Sequence, residues 1–278
     1  MKRLGWLMVL LLAAGCGPGV GTLSVTTWGE AYIEDGIPVD SAQVTGFVDG
    51  WTVKYERFLV VLGEFSLAKK TGEQGPKQQA AGIVNLVKPG PVELFSWKDV
   101  PAAKWDRVSY GIGPAKSSAT GIGAIDASDV ERMKTGGLAV YVEGSATKNG
   151  TSKRFAWGFA NDTLYDECTN MDYGDGVTIP TGGQEVVQLT IHGDHFFYDD
   201  LESPEAKLRF QALADADADA DGAITLDELA AVQLTSLPLG QYGTGSAGSV
   251  KSLKDFIGAL VRTIGHYRGE GECVSKAR

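Results

Sequence analysis

Val187-Gln188-Leu189-Thr190-Ile191 alternates apolar with polar side chains, and Val140-Tyr141-Val142-Glu143 repeats the alternation earlier in the chain. Period-two alternation turns one face of an extended chain to a core and the other to water, so each stretch predicts a half-buried strand. Outward from these two, β-rich runs occupy residues 23–28, 51–55, 58–62, 82–87, 92–97, 107–112, 138–143, 154–159 and 185–191, punctuated by Gly and Pro. Short strands separated by turn signals predict an antiparallel β-sandwich or barrel-like domain over residues 23–200. Two short helices are expected to interrupt it, near 100–104 and 127–133, the second capped by Asp126 or Ser128.

The last third, residues 201–278, changes character. Ser203-Pro204-Glu205 predicts a helix start, with Leu208, Ala212 and Leu213 as its apolar stripe. A second helix is expected from about Thr225. A third, over 249–266, is marked by Val250, Leu253, Phe256, Ile257, Leu260, Val261 and Ile264 at three- and four-residue spacing, with Ser252 and Asp255 as a capping box. The fold class is therefore α+β, a β domain followed by a helical segment.

Between the first two of these helices, residues 217–228 read Asp-Ala-Asp-Ala-Asp-Gly-Ala-Ile-Thr-Leu-Asp-Glu. Calcium takes six to eight hard oxygen ligands, and acids at positions 1, 3 and 5 of a loop supply carboxylates. This stretch resembles the EF-hand calcium loop. The resemblance implies Asp217, Asp219 and Asp221 as ligands, Gly222 for the sharp turn, the Ala223 carbonyl, Thr225 through water, and Glu228 closing the site with both oxygens. An Asp-Ala repeat begins at Asp215, but Gly222, Ile224 and Glu228 set the register. EF-hands usually pair and no second loop is present in the sequence, which points to a structural or low-affinity site suited to millimolar calcium.

The amino-terminal stretch is an address. Lys2 and Arg3 precede an apolar run over 4–14, too short to span a bilayer, which predicts a secretory signal peptide over residues 1–15. Leu12-Ala13-Ala14-Gly15-Cys16 resembles the lipobox of bacterial lipoproteins, with Ala13 where that family prefers Leu. The resemblance implies cleavage before Cys16, acylation of Cys16, a lipidated tether over 16–22 and attachment to the cell envelope. Gly17, in place of an inner-membrane retention Asp, favours the outer membrane. Among partners, a membrane reached through the lipid is expected and nucleic acid is not. The chain has 25 basic against 35 acidic residues, net −10, and phosphate neutralisation needs clustered cations.

Of the three cysteines, Cys168 and Cys273 remain for a disulfide in an oxidising compartment. The chain's three histidines are His192, His195 and His266. A turn at Gly193-Asp194 would bring the first two together, and a Cys168–Cys273 bridge would draw the tail that carries the third back toward the sheet. Imidazoles with a carboxylate from Asp194 or Asp199 suit zinc or copper. Gly243-Thr244-Gly245-Ser246-Ala247-Gly248 spells a dinucleotide-binding pattern, but no strand precedes it and too little chain follows for a βαβ unit. No catalytic residue is nominated. The leading expectation is a lipid-anchored calcium-binding envelope protein with a structural or interaction role. The alternatives are a periplasmic zinc or copper binder and a hydrolase of unknown type.

Overall fold

The computed structural model describes residues 19–278; the signal segment and Cys16 lie outside the described residues. The main elements in chain order are strand β1 (Val20–Trp28), helix α1 (Glu30–Glu34), β2 (Thr52–Ala68), β3 (Gly82–Asn85), β4 (Val92–Pro101), β5 (Arg107–Ile112), α2 (Ala127–Gly136), β6 (Val140–Lys148), β7 (Thr151–Phe159), β8 (Thr163–Asp166) and β9 (Gln184–Ile191). After them come α3 (Gln211–Ala214), β10 (Ala223–Ile224), α4 (Leu226–Ala231), α5 (Leu253–Leu260), β11 (Gly265–Tyr267) and β12 (Val274–Ala277). The fold is α+β with sandwich- and barrel-like character, as the alternation predicts.

One sheet runs β11-β9-β1-β4. The other, larger and curled, runs β10-β7-β6-β2-β5-β8-β12, with β3 and two short strands alongside β2 and β3. Leu23 and Val25 of β1 and Val187 and Leu189 of β9 share one core with Val53, Phe58 and Val60 of β2, Val142 of β6 and Trp157 of β7. Pairing is not wholly antiparallel: β1 and β9 run parallel, Thr22 opposite Gln184 through Trp28 opposite Thr190.

The two runs expected at 51–55 and 58–62 are one 17-residue strand. A register shift between Tyr55 and Arg57 bends it, and residues 58–63 are buried on both faces. Phe58, Val60 and Leu62 face the main core, while Leu59 and Val61 face a second cluster with Ile83, Ala119 and Met133 of α2. Burial on both faces erases the alternation there, because each face has its own apolar partner.

Several expectations are corrected. The helix expected at 100–104 does not form: Val100 and Pro101 end β4, paired with Gly21 and Val20, residues 102–103 bend, and Lys104 pairs with Thr178; a proline also disfavours helix at the residue before it. The helix expected from Ser203 is a series of turns, and only Gln211–Ala214 is helical. Asp200 Oδ1 accepts from the amides of Glu202 and Ser203, and Asp199 Oδ1 from that of Lys207. Side chains that capture amides in this way compete with helix bonding. The third helix is confined to 253–260, started by the expected Ser252/Asp255 capping box. The expected 16–22 tether gives way to strand at Val20. Residues 201–278 are not a separate helical unit either, because β10, β11 and β12 join the two sheets.

Cys168 and Cys273 are disulfide-bonded, closing a separation of 105 residues. Beside them, buried Asp166 of β8 accepts from Arg107 Nε of β5 at 2.9 Å and from Lys276 Nζ of β12 at 3.0 Å, tying three adjacent strands. The Arg107 guanidinium holds the Asp166 carboxyl down at about 2, from 3.8. A depressed carboxylate stabilises the fold above its unfolded value, and that stabilisation is lost as pH falls through the folded one. The stability gap between wild type and Asp166→Asn is therefore expected to be full above about pH 4 and to close toward pH 2, as read by denaturant melts across that range. A gap independent of pH would refute this role.

Candidate metal centres

The 217–228 loop is held against the larger sheet. Ala223 and Ile224 form β10, parallel to Arg154 and Phe155 of β7. The Arg154 amide donates to Gly222 O at 2.8 Å, and Trp157 Nε1 donates to Ile224 O at 2.7 Å. Gly222 sits at φ +82°, a left-handed turn that a side chain would strain. Ile224 and Leu229 are buried in the core.

Asp217, Asp219 and Glu228 present carboxylate oxygens all within 4.8 Å of one another. Glu228 Oε2 accepts from the amide and hydroxyl of Thr225, at 2.9 and 2.8 Å, and Oε1 accepts from the Ala218 amide at 3.0 Å. Thr225 in turn caps α4, so the predicted loop and a reciprocal capping box coincide. Asp221 Oδ1 takes the Ala223 amide at 2.6 Å and shapes the turn. Lys153 of β7 pairs with Asp217 Oδ2. That hydrogen bond holds the Asp217 carboxyl below its usual range, and the Thr225 amide does the same for Glu228. Asp217 Oδ1 is buried without a partner. A hard-oxygen donor set with an orphaned buried carboxylate oxygen fits calcium. Asp217, Asp219 and Glu228 would hold the ion, and the Lys153 ammonium competes for Asp217.

The three histidines meet at one end of the smaller sheet. His192 follows β9, its amide bonded to Ile264 O at 2.9 Å. A 3-10 turn over Asp194–Phe197 carries His195, and His266 lies in β11 opposite Thr190. Ring centroids are 4.0 Å apart for His192 and His266, 5.0 Å for His195 and His266, and 5.3 Å for His192 and His195. One nitrogen from each ring lies within 4.8 Å of the others. His192 and His266 are each 6% exposed. Burial, aided by His192, pushes the imidazoles of His195 and His266 down to about 3. Glu30 Oε1 lies 3.4 Å from His192 Nε2, and burial pushes Glu30 up to about 7 against the pull of His192.

No family model matches the chain, and no curated protein or solved structure is significantly similar to it.

Of the carboxylates expected near the histidines, Asp199 pairs with Arg209 instead. Asp194 is buried, with its charge acting on His266; its Oδ2 accepts from the Tyr198 hydroxyl at 2.8 Å and its Oδ1 has no partner. Glu30 and Glu272 join it, with Glu272 Oε1 4.0 Å from His266 Nδ1. Neither carries a sequence signal beyond Glu272 adjoining Cys273. Lys153 is likewise invisible before β7 and the loop are seen paired. Among the described residues, no helix is long and apolar enough to cross a membrane.

Proposed function

We propose that this is a lipid-anchored calcium-binding protein of the bacterial cell envelope, in which calcium fastens the 211–231 segment to the β7 edge of the larger sheet. The observation that carries the calcium reading is the convergence of Asp217, Asp219 and Glu228 in a loop already clamped to β7, with Asp217 Oδ1 unpaired. The Leu12–Cys16 lipobox supports the anchor. Strand β1 begins at Val20, so four residue steps of at most about 3.6 Å each separate it from Cys16. Acyl chains there hold the β domain close against the bilayer. The role supported is structural, since no second loop is available for a cooperative switch.

Calcium titration of protein purified without chelator is expected to show one ion per chain. Glu228→Gln, which loses a charge and the bidentate closure, is expected to weaken binding at least about tenfold, equivalent to about 1.4 kcal/mol. Equal affinity in both proteins overturns the calcium reading. Intact mass of the membrane fraction is expected to show acyl chains on Cys16, absent in Cys16→Ser. An unmodified Cys16 in that fraction overturns the anchor.

A further inference from the structure

The whole histidine complement of 278 residues is gathered at one point, away from the calcium loop. We propose that His192, His195 and His266 form a second metal centre for a late first-row divalent ion, zinc or copper, with the Glu272 carboxylate at hand as a fourth ligand.

Hydrogen bonding decides which nitrogen His195 offers. The Thr263 hydroxyl donates its only proton to Leu260 O at 2.8 Å. It therefore accepts at its 2.8 Å contact with His195 Nδ1, which must carry the ring proton. His195 Nε2 is left with the lone pair. A histidine ligand oriented through its other ring nitrogen is the usual arrangement around a bound metal.

Each of the other two rings has one buried nitrogen without a partner. His192 Nε2 and His266 Nδ1 are buried without a hydrogen bond, whereas buried polar atoms are nearly always satisfied. His192 Nε2 lies 3.4 Å from Glu30 Oε1 without bonding it. Glu30 holds that place at φ +55°, in the left-handed region that a non-glycine residue adopts at some cost.

The spacing is within reach of coordination. Metal–nitrogen bonds of about 2.0–2.1 Å in a tetrahedron put ligand nitrogens roughly 3.3 Å apart. The rings present nitrogens within 4.8 Å, so side-chain shifts of about 1 Å close the site. Imidazole donors select zinc or copper over calcium and magnesium, which take oxygen. Glu270 and Glu272 are exposed beside the cluster, Glu270 grouped with Glu30 and His192 and Glu272 Oε1 4.0 Å from His266 Nδ1, and their charge favours a cation. The tail that carries these two acids is tied down by the Cys168–Cys273 bridge.

The test uses the full oxidised chain, stripped with chelator and titrated separately with zinc, copper(II) and cobalt(II) salts. One ion per chain is expected, and the cobalt form is expected to show the visible bands of a nitrogen-rich site of low coordination number. His266→Ala is expected to weaken zinc at least about 100-fold, and Thr263→Val, which frees the His195 ring, by about 10–100-fold. Glu228→Gln is expected to bind zinc as wild type does, which separates this centre from the calcium loop. The thermal melt of each variant reports folding, and Thr263→Val tests the site if His266→Ala fails to fold. Wild type that takes up no zinc or copper at tens of micromolar overturns the proposal. So does uptake unchanged in both the His266 and Thr263 variants.

Discussion

Removing the Cys168–Cys273 bridge is expected to lower the unfolding free energy by roughly 4–5 kcal/mol, the chain-entropy value for a loop of about a hundred residues. Domains are commonly stable by only about 5–15 kcal/mol, so the double variant Cys168→Ala/Cys273→Ala should sit near the edge of folding at 37 °C. The bridge also shapes one site. It fixes residues 265–278, which bring His266 to the histidine cluster, place Glu272 beside it and supply β12. Further contacts hold the same segment: the Thr169 amide donates to Glu272 O at 2.8 Å, and Asn170 Nδ2 donates to Arg268 O at 2.9 Å. Loss of the bridge should therefore weaken zinc uptake while leaving calcium affinity at 217–228 near its wild-type value. Denaturant melts with and without reductant check the stability effect. Wild type should fall to the level of the variant when reduced, and the variant should not respond. A loss under about 1 kcal/mol would show that the bridge constrains little of the unfolded chain.

The second large effect is calcium-dependent stability. Calcium at about 100 times its dissociation constant should add roughly 2.7 kcal/mol by mass action, or about 5–10 °C in melting temperature for a chain of this size. Without the ion, Asp217, Asp219 and Glu228 repel one another, and Lys153 is the cation that relieves part of this. Glu228→Gln should lose most of the calcium response. Asp227→Asn, outside the converging carboxylates, should keep it. Lys153→Met separates the two cations: it should melt lower than wild type in chelator and gain more on adding calcium, because no ammonium competes for Asp217. Melts of the four proteins with and without calcium decide the matter. If Lys153→Met gained no more than wild type, the Lys153–Asp217 pair and the ion would not be sharing one site.

Local pattern made most of the strands legible. Residues 107–112 are readable to the residue, because Val108, Tyr110 and Ile112 alternate with Arg107, Ser109 and Gly111. Legibility failed where a segment answers to a distant partner. Residues 58–62 read as a separate strand because both faces are buried. Residues 100–104 read as helix because the pairing of Val100 and Pro101 with Gly21 and Val20 has no local trace. Ser203-Pro204-Glu205 carries a helix-start signature, yet Asp199 and Asp200 capture the nearby amides. The tail strands β11 and β12 are too short to show a period. The sites divide in the same way. The calcium loop is contiguous, so its spacing could be read directly, and the His192/His195 turn is local. Glu30, Thr263 and Lys153 come from elements up to about 160 residues away in sequence, and only the folded pairing reveals them.

The position of β1 has a kinetic consequence. This strand sits inside its sheet, between β4 at residues 92–101 and the parallel β9 at 184–191. Hydrogen bonding along one of its edges cannot form until the chain beyond residue 184 is available. Closing so long a loop costs entropy before any contact repays it, and folds dominated by distant pairings reach the native state in milliseconds to seconds rather than microseconds. A chain that emerges amino-terminus first carries Leu23, Val25 and Thr27 on a strand with an open edge through most of its synthesis. Such an edge is a template for pairing with another chain. Anything that delays the arrival of β9 therefore prolongs the interval in which two nascent copies can join through β1.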